Sequence, residues 1–146
     1  MANTNALSAY KETRIRTASQ GQLILMLYDE AVKQLDSALS LLSLNRSGKK
    51  DPGRIETIGK AIVKAQDIFT ELMVSLDFDQ GGDIAKNLFA LYTWFNKELL
   101  EAHMAQDLTR ITVVRDMADK LRGAWGEASA KTRAEGRPSE GLNIAG

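Results

Sequence analysis

The sequence predicts an all-α protein: an antiparallel up-down four-helix bundle with a short N-terminal arm or helix and a disordered C-terminal tail. Apolar residues recur at intervals of three and four in four successive segments, which is the helical period. Short polar or glycine-containing connections separate these segments, and short connections make consecutive helices antiparallel neighbours. The length of 146 residues, of which 44% are hydrophobic and 26% charged, suits one domain with its own core.

The first helix is predicted over about residues 20–44, after an N-terminal arm at residues 1–18. The arm is polar with isolated apolar points such as Tyr10, and it is either disordered or docked on the body through those points. Ser19 with Gln22 three residues later is a capping-box pattern that starts the helix. Its core face is predicted at Ile24, Leu27, Tyr28, Ala31, Leu35, Ala38 and Leu42.

The second helix is predicted to start at Asp51 and Pro52, an N-cap residue followed by proline at the first helical position. Gly59 interrupts this helix, and close packing against a neighbour is the simplest reason for a glycine there. The helix ends before residues 77–82, where paired glycines predict a turn. The core stripe of the second helix is predicted at Ile55, Ile58, Ile62, Ala65, Phe69, Leu72 and Leu76.

The third helix is predicted over about residues 83–104, and Asp107 is predicted to cap the fourth. The helical pattern stops near Ser129, which divides the chain into an arm (1–18), a bundle (19–130) and a disordered tail (131–146). The inward positions are Ile84, Leu88, Leu91, Phe95, Leu99 and Ala102 on the third helix, and Ile111, Val114, Met117, Ala118, Leu121, Trp125 and Ala128 on the fourth.

The composition argues against several classes of protein. Lys and Arg number 19, as do Asp and Glu, so the basic excess of a general nucleic-acid binder is missing. The chain has no cysteine, which rules out disulfides and thiolate metal sites. The longest apolar run, residues 23–28, is too short to cross a membrane, and no signal peptide is evident. We therefore expect a cytoplasmic protein with no nucleic-acid partner, no membrane insertion, no metal and no cofactor.

Signals of catalysis are weak, and we expect no enzyme. His103 is the only histidine in the chain. A di-iron bundle needs Glu-x-x-His on two helices, but the residue three before His103 is Leu100. A phosphotransfer bundle needs an exposed histidine in mid-helix followed by Lys-Gly, and His103 stands near a helix end without that sequence. A partly exposed surface histidine is the simpler interpretation.

The helices carry more apolar residues than one core stripe per helix requires. Such a surplus is insoluble unless something covers it. Three arrangements would cover these residues. The core is broad and the arm packs over it, a second copy of the chain binds there, or a partner lays apolar helical faces into grooves. The surplus residues are Leu23, Met26, Leu41, Leu44, Val63, Val74, Phe89, Trp94, Leu100 and Val113.

Several motifs together resemble the FliS family of flagellin export chaperones. Ala9-Tyr10 matches its short N-terminal element, and Ala124-Trp125 matches its late motif. The match runs in order over most of the chain, from about residue 9 to residue 125. The remaining motifs are Gln22-Leu23-x-x-Met26-Leu27-Tyr28-Asp29, Ala65-x-x-Ile68-x-x-x-Leu72, Ser75-Leu76-Asp77 and Gly81-Gly82-Asp83-Ile84-Ala85-Lys86-Asn87-Leu88-x-x-Leu91-Tyr92.

The resemblance implies a cytosolic helical bundle that binds the disordered C-terminal segment of flagellin. It implies that binding prevents premature polymerisation and that the chaperone–flagellin complex is delivered to the gate of the flagellar type III export apparatus. A self-associating helical adaptor and a histidine phosphotransfer-like bundle remain the alternatives. Partner contacts are predicted at Tyr10, Leu23, Met26, Ile68, Leu72, Asn87, Leu91 and Tyr92, with plain core packing as the alternative for the apolar members.

Overall fold

Four long helices make up the part of the chain that the structure, a computed structural model, describes, namely residues 19–48 and 50–134. The predicted all-α fold is confirmed. The predicted arm, with Tyr10, and the tail from residue 135 lie outside the described residues. The helices are α1 (Gln20–Ser47), α2 (Pro52–Val74), α3 (Phe78–Ala105) and α4 (Leu108–Ala134), so the last helix runs past the boundary predicted at residue 130.

The helices alternate in direction, as specific contacts between neighbours show. Between α2 and α3, Gln66 Nε2 donates to the Asn96 carbonyl at 3.0 Å, whereas Met73, further along α2, meets Thr93, which is earlier on α3. Each helix packs on its neighbours in sequence, and α1 also packs on α4. The four helices therefore form a closed square with a single core.

The helix starts follow the sequence signals. Ser19 Oγ accepts from the Gln22 backbone N–H at 3.3 Å while Gln22 Oε1 accepts from the Ser19 N–H at 3.0 Å, so the capping box is confirmed. Asp51 Oδ1 accepts from the Gly53 N–H at 2.9 Å, with proline at the first position of α2. Asp107 Oδ1 accepts from the Arg110 N–H at 3.2 Å, which confirms the cap of α4.

The predicted turn at residues 77–82 is shorter and more helical than expected. Asp77 Oδ1 accepts from the backbone N–H groups of Asp79 and Gln80, so the helix already starts at Phe78. Gly82 then interrupts it with φ 51° and ψ −125°, a conformation that disfavours other residues. The result is one helical turn, a bend at Gly82 and then the long part of α3.

The core contains most of the residues that the periodicity predicts, with two corrections. Ile55 and Ile84 were expected to face inward but are 41% and 60% exposed. Ile55 lies in the first turn of α2, beyond the level at which Ile58 begins the core. Ile84 follows the bend at Gly82, and its neighbour Ala85 takes the core position instead.

Two tyrosines meet at the centre of the bundle. Tyr28 on α1 and Tyr92 on α3 are both fully buried, and their hydroxyl groups share a hydrogen bond across the core diagonal. Desolvation by burial raises the pKa of Tyr28 to about 12 and also raises the pKa of Tyr92. Because each hydroxyl satisfies the other, two polar atoms are accommodated where an unpaired one would be costly.

The described helices are amphipathic throughout. None of those within residues 19–48 and 50–134 is both long and apolar enough to cross a bilayer.

Candidate functional site

The seam between α1 and α4 is held by ion pairs. Arg115 donates to both oxygens of Asp36, at 2.7 and 3.4 Å, and Arg122 donates to Asp29 at 3.3 Å. Asp119 is within ion-pair distance of both arginines. The hydrogen bond to Asp36 raises the pKa of the Arg115 guanidinium. This flank of α4 is therefore occupied by charged side chains that already have partners.

The seam between α3 and α4 also has ion pairs, but only at one end. Near the α3–α4 connection, Arg110 pairs with Glu101 at 3.1 Å and with Glu98 at 3.7 Å. Leu91 and Trp94 stand two helical turns before these two glutamates, and so lie on the same flank of α3. Beyond the ion pairs, the seam is therefore lined by apolar side chains.

The opposite wall of this seam is apolar as well. On α4, Met117 lies two turns after Arg110, and so on the flank that faces α3. The contact between α3 and α4 is the least extensive among the four neighbouring helix pairs. We call this surface the α3/α4 groove, and it consists of Ile84, Asn87, Leu91 and Trp94 on α3 and Val113, Met117 and Leu121 on α4.

The predicted contact residues divide between two opposite edges of the bundle. Asn87, which is exposed, and Leu91, which is partly exposed, belong to the α3/α4 groove. Leu23 and Met26 are partly exposed on α1, on the side away from the aspartates that pair with α4. They therefore border α2, across the bundle from the groove.

The other three predicted contact residues within the described ranges lie in the core. Ile68 is 1% exposed, and Leu72 and Tyr92 are not exposed at all. A partner meets these side chains directly only if the helices separate. Their role in binding stays a prediction. In the closed bundle these three side chains are part of the hydrophobic core.

Most of the apolar surplus is confirmed as exposed surface. Leu23, Met26 and Leu41 are only partly exposed, whereas Phe78 and Met104 are exposed without having been predicted so. Phe78 comes from the segment interpreted as a turn, and its ring packs on Phe89 with the centroids 5.9 Å apart. The confirmed exposed residues are Leu44, Val63, Val74, Phe89, Trp94, Leu100 and Val113.

His103 has a packing role that explains a glycine. A Cβ atom at Gly59 would lie 3.1 Å from both Cε1 and Nε2 of the imidazole, so glycine gives the ring room against α2. The ring is partly buried and its Nδ1 lies 3.3 Å from Gln106 Nε2. Close packing at Gly59 and a partly exposed histidine are thus both confirmed, and the position near the end of α3 does not favour phosphotransfer.

Sequence reasoning missed the ion pairs between α1 and α4, although the sequence contains a signal for them. Asp29 and Asp36 are seven residues apart on α1, and Arg115 and Arg122 are seven apart on α4. A spacing of seven returns to the same helix face, so opposite charges in this spacing on antiparallel helices predict a charged seam.

Comparison with known proteins identifies the family. The sequence profile of the family described as "Flagellar protein FliS" matches residues 3–132. A flagellar secretion chaperone FliS of Salmonella typhimurium is 32% identical over 136 residues, covering 90% of this chain and 95% of that protein. The chaperones of the same name from Escherichia coli, 32% identical over 80% of this chain and 81% of that protein, and Bacillus subtilis, 25% identical over 97% and 99%, also match. The match extends over nearly the whole described bundle, and this chain belongs to the FliS family.

Proposed function

We propose that this chain is a cytoplasmic export chaperone that binds the disordered C-terminal segment of flagellin. The bound segment is unable to pair with other subunits, which prevents premature polymerisation, and the complex is delivered to the gate of the flagellar type III export apparatus. The relatives are named flagellar secretion chaperones, which supports the export role. Binding alone performs this task, so no bond is made or broken.

The α3/α4 groove is the observation that carries the proposal. Its α3 wall runs from Ile84 to Trp94, about 15 Å at the helical rise, which accommodates roughly three turns of a bound helix. Ile84 is 60% exposed, Val113 43% and Trp94 38%, so the groove offers apolar area without unfolding of the bundle. An amphipathic helix that lays its apolar face into such a groove removes this area from water.

A disordered flagellin segment suits a site that is divided between two edges. The α3/α4 groove and the pair Leu23 and Met26 lie on opposite sides of the bundle, so one rigid helix does not reach both. A disordered chain can wrap a large surface and loses its conformational entropy only when it binds. We therefore propose contacts at Leu23, Met26 and Leu91, with Ile68, Leu72 and Tyr92 as the packed layer beneath.

Asn87 is proposed to recognise the partner's backbone. It is exposed and makes no hydrogen bond with its side chain within the described residues. An amide group both donates and accepts, so it is able to bind a peptide group at the rim of the groove. Such a contact fixes the position of a bound helix, whereas the apolar residues supply most of the affinity.

The direct test is co-purification with two forms of flagellin. Intact flagellin is expected to be retained by the immobilised chain, and flagellin lacking its last ~40 residues, enough for a wrapping segment, is expected to be lost. Flagellin shortened by the same number of residues at its N-terminus is the matched control and should still bind. Equal retention of both truncated forms would refute binding through the C-terminal segment.

Tyr10 is proposed to regulate access to the flagellin site. The basis is its place as an isolated apolar residue in a polar segment, together with the matching element of the family. Deletion of residues 1–17 should raise the affinity for the flagellin segment or its association rate, as measured by titration calorimetry and stopped-flow fluorescence. Unchanged affinity and rate would argue against a lid.

A further inference from the structure

The half of the α3/α4 groove nearest the end of α4 is open. Ile84 is 60% exposed on α3, and Ala124 is exposed on α4. Leu121 and Ala128, three and four residues from Ala124, are partly exposed and lie on the same flank of α4. Alanine side chains are short, so this half offers more room than the half that contains Trp94. We call this half the lower groove, and it consists of Ile84 and Asn87 on α3 and Leu121, Ala124 and Ala128 on α4.

An ion pair fixes which residues of α3 and α4 stand at the same height. Arg110 on α4 pairs with Glu98 on α3 at 3.7 Å. Ala124 is 14 residues after Arg110, and Ile84 is 14 residues before Glu98. Because the two helices are antiparallel and rise equally per residue, Ala124 stands level with Ile84. The lower groove therefore has an apolar side chain on each wall at this height.

The end of α4 adds a positive charge to the same flank. Lys131 is exposed and lies seven residues after Ala124, a spacing that returns to the same helix face. Within residues 19–48 and 50–134, its ammonium group forms neither an ion pair nor a hydrogen bond. Helix α4 ends at Ala134, so the chain that follows it starts beside this charge.

The sequence after α4 has an alternating pattern that matches these features. Residues 135–146 lie outside the described residues, and the family profile, which matches residues 3–132, does not include them. Glu140, Leu142 and Ile144 are spaced by two. In an extended chain such residues share one side, so one acidic and two apolar side chains point the same way.

We propose that residues 138–146 fold back and bind in the lower groove as an extended segment, in competition with the flagellin C-terminal segment. Leu142 and Ile144 then pack between α3 and α4, and Glu140 pairs with Lys131. The competition rests on the proposed function of the groove, whereas the docking of the segment does not.

The segment has the length that this arrangement needs. Gly136 and Pro138 are turn residues, so the chain is able to reverse directly after α4. From Pro138, an extended chain returns about 3.3 Å per residue, which is roughly 7, 13 and 20 Å at residues 140, 142 and 144. At the rise of α4, about 1.5 Å per residue, these heights correspond to about residues 130, 125 and 121. The three inward side chains therefore meet a cation, an alanine and a leucine, in the pairs Glu140–Lys131, Leu142–Ala124 and Ile144–Leu121.

Asn87 supplies a partner for the backbone of the segment. An extended chain leaves its N–H and C=O groups without partners unless a neighbour provides them. The exposed amide of Asn87 both donates and accepts at the rim of the lower groove. The same amide is proposed to bind flagellin, so the two guests exclude each other there.

The segment covers only part of the groove. Trp94 and Val113 lie in the other half and stay exposed when the segment is docked. Flagellin therefore has a first contact from which it displaces the segment. Docking then protects the lower groove from water in the free chaperone without closing the site to flagellin.

The first test detects the docking without flagellin. The chain has no cysteine, so Asn143→Cys in the full chain accepts a single nitroxide spin label. Residue 143 points away from the groove when its two apolar neighbours point into it. In ¹H–¹⁵N spectra, the label should broaden the amide signals of residues 84–88 and 121–128 and leave those of residues 33–40 on α1 unchanged. Equal broadening over the whole surface, or none, would overturn the docking.

Substitutions in the labelled chain supply the controls. Leu142→Asp combined with Ile144→Asp should abolish the broadening, because a buried carboxylate without a partner is unfavourable. Glu140→Lys should reduce the broadening, and the addition of Lys131→Glu should restore it. Glu135→Lys makes the same change of charge outside the docked segment and should have no effect. Equal losses in Glu135→Lys and Glu140→Lys would refute the proposed ion pair.

The second test measures the competition. Deletion of residues 138–146 should raise the affinity for the flagellin C-terminal segment roughly 3–10-fold in titration calorimetry, as expected when the groove is open for about a third to a tenth of the time. Leu142→Asp combined with Ile144→Asp should give the same gain. Docking with unchanged flagellin affinity would refute the competition.

The two tests separate this proposal from the proposed function. Should flagellin not bind at all, the spin-label result still decides whether the segment docks. A chain that binds flagellin but shows no broadening in the groove refutes only the docked segment.

Discussion

The two flanks of α4 show how one helix can be both fixed and available for binding. Toward α1, Arg115 and Arg122 pair with Asp36 and Asp29, and the charges on this flank have their partners within the chain. Toward α3, Arg110 makes the only ion pairs among the described side chains, and the rest of that flank is apolar and thinly packed. The comparison teaches that the ion pairs locate α4 without using its apolar surface.

The largest expected effect is on binding at the apolar flank. Ile84→Asp and Val113→Asp should each weaken binding of the flagellin C-terminal segment on the order of 100-fold, about 2.7 kcal/mol. Both side chains are exposed, so the free energy of unfolding should change by less than ~0.5 kcal/mol. Titration calorimetry and urea denaturation measure the two quantities. Unchanged affinity in both variants would exclude the groove as the flagellin site.

Substitutions in the buried tyrosine pair, in contrast, should lower the free energy of unfolding. Tyr28→Phe leaves the Tyr92 hydroxyl buried without its partner and should lower the free energy of unfolding by about 1–3 kcal/mol. The double variant Tyr28→Phe with Tyr92→Phe should cost less than the sum of the single variants, because no hydroxyl is then left unpaired. Urea denaturation of the three variants gives the coupling, and strict additivity would mean that the hydrogen bond does not stabilise the core.

The same pair predicts a loss of stability at high pH. The folded protein holds the pKa of Tyr28 at about 12, above its ordinary value of 10.0, so the unfolded chain loses this proton first. The stabilisation is complete below pH ~10 and falls as pH rises toward 12. Urea denaturation between pH 9 and 12 should show a steeper loss for the wild type than for the double phenylalanine variant. Parallel pH profiles would contradict the raised pKa.

The smallest effect is expected at the charged flank. Arg115→Ala and Arg122→Ala should each lower the free energy of unfolding by about 0.2–1 kcal/mol, the usual range for exposed pairs. The difference from wild type should shrink in 1 M salt, where such pairs are screened. Flagellin binding should stay within ~3-fold of wild type. A binding loss as large as that of Val113→Asp would mean that the two flanks are not separate in function.

The sequence predicts the fold well because the signals for it are local. The capping box at Ser19, the proline after Asp51 and the spacing of core residues each act within one helix. The exposure of Ile84 was not predicted because it depends on the bend at Gly82, which changes the direction in which the following side chains point. The pairing of Tyr28 with Tyr92 joins residues 64 apart, and periodicity within one helix carries no information on it.

The exposed apolar surface was predicted from the sequence, but its arrangement around the bundle was not. Residue spacing identified the apolar surplus, since Val113 and Trp94 fall outside the core stripe and are exposed. It did not show that Leu23 and Leu91 lie on opposite edges, because that depends on how the helices are placed around the square. Nor did it separate Ile68 from Leu91, since a motif records which residues recur and not how deeply each is buried.

The connection between α3 and α4 consists of Gln106 and Asp107 alone, with Gln106 in the left-handed conformation. Two residues hold one end of the pair together, while the apolar part of the seam lies toward the other end. Helices α3 and α4 can therefore rotate relative to each other about a hinge at residues 106–107. A splay of about 5° at the pivot moves the tip of α3, some 30 Å away, by roughly 3 Å. A small rotation at two residues would thus change the width of the α3/α4 groove by several ångströms.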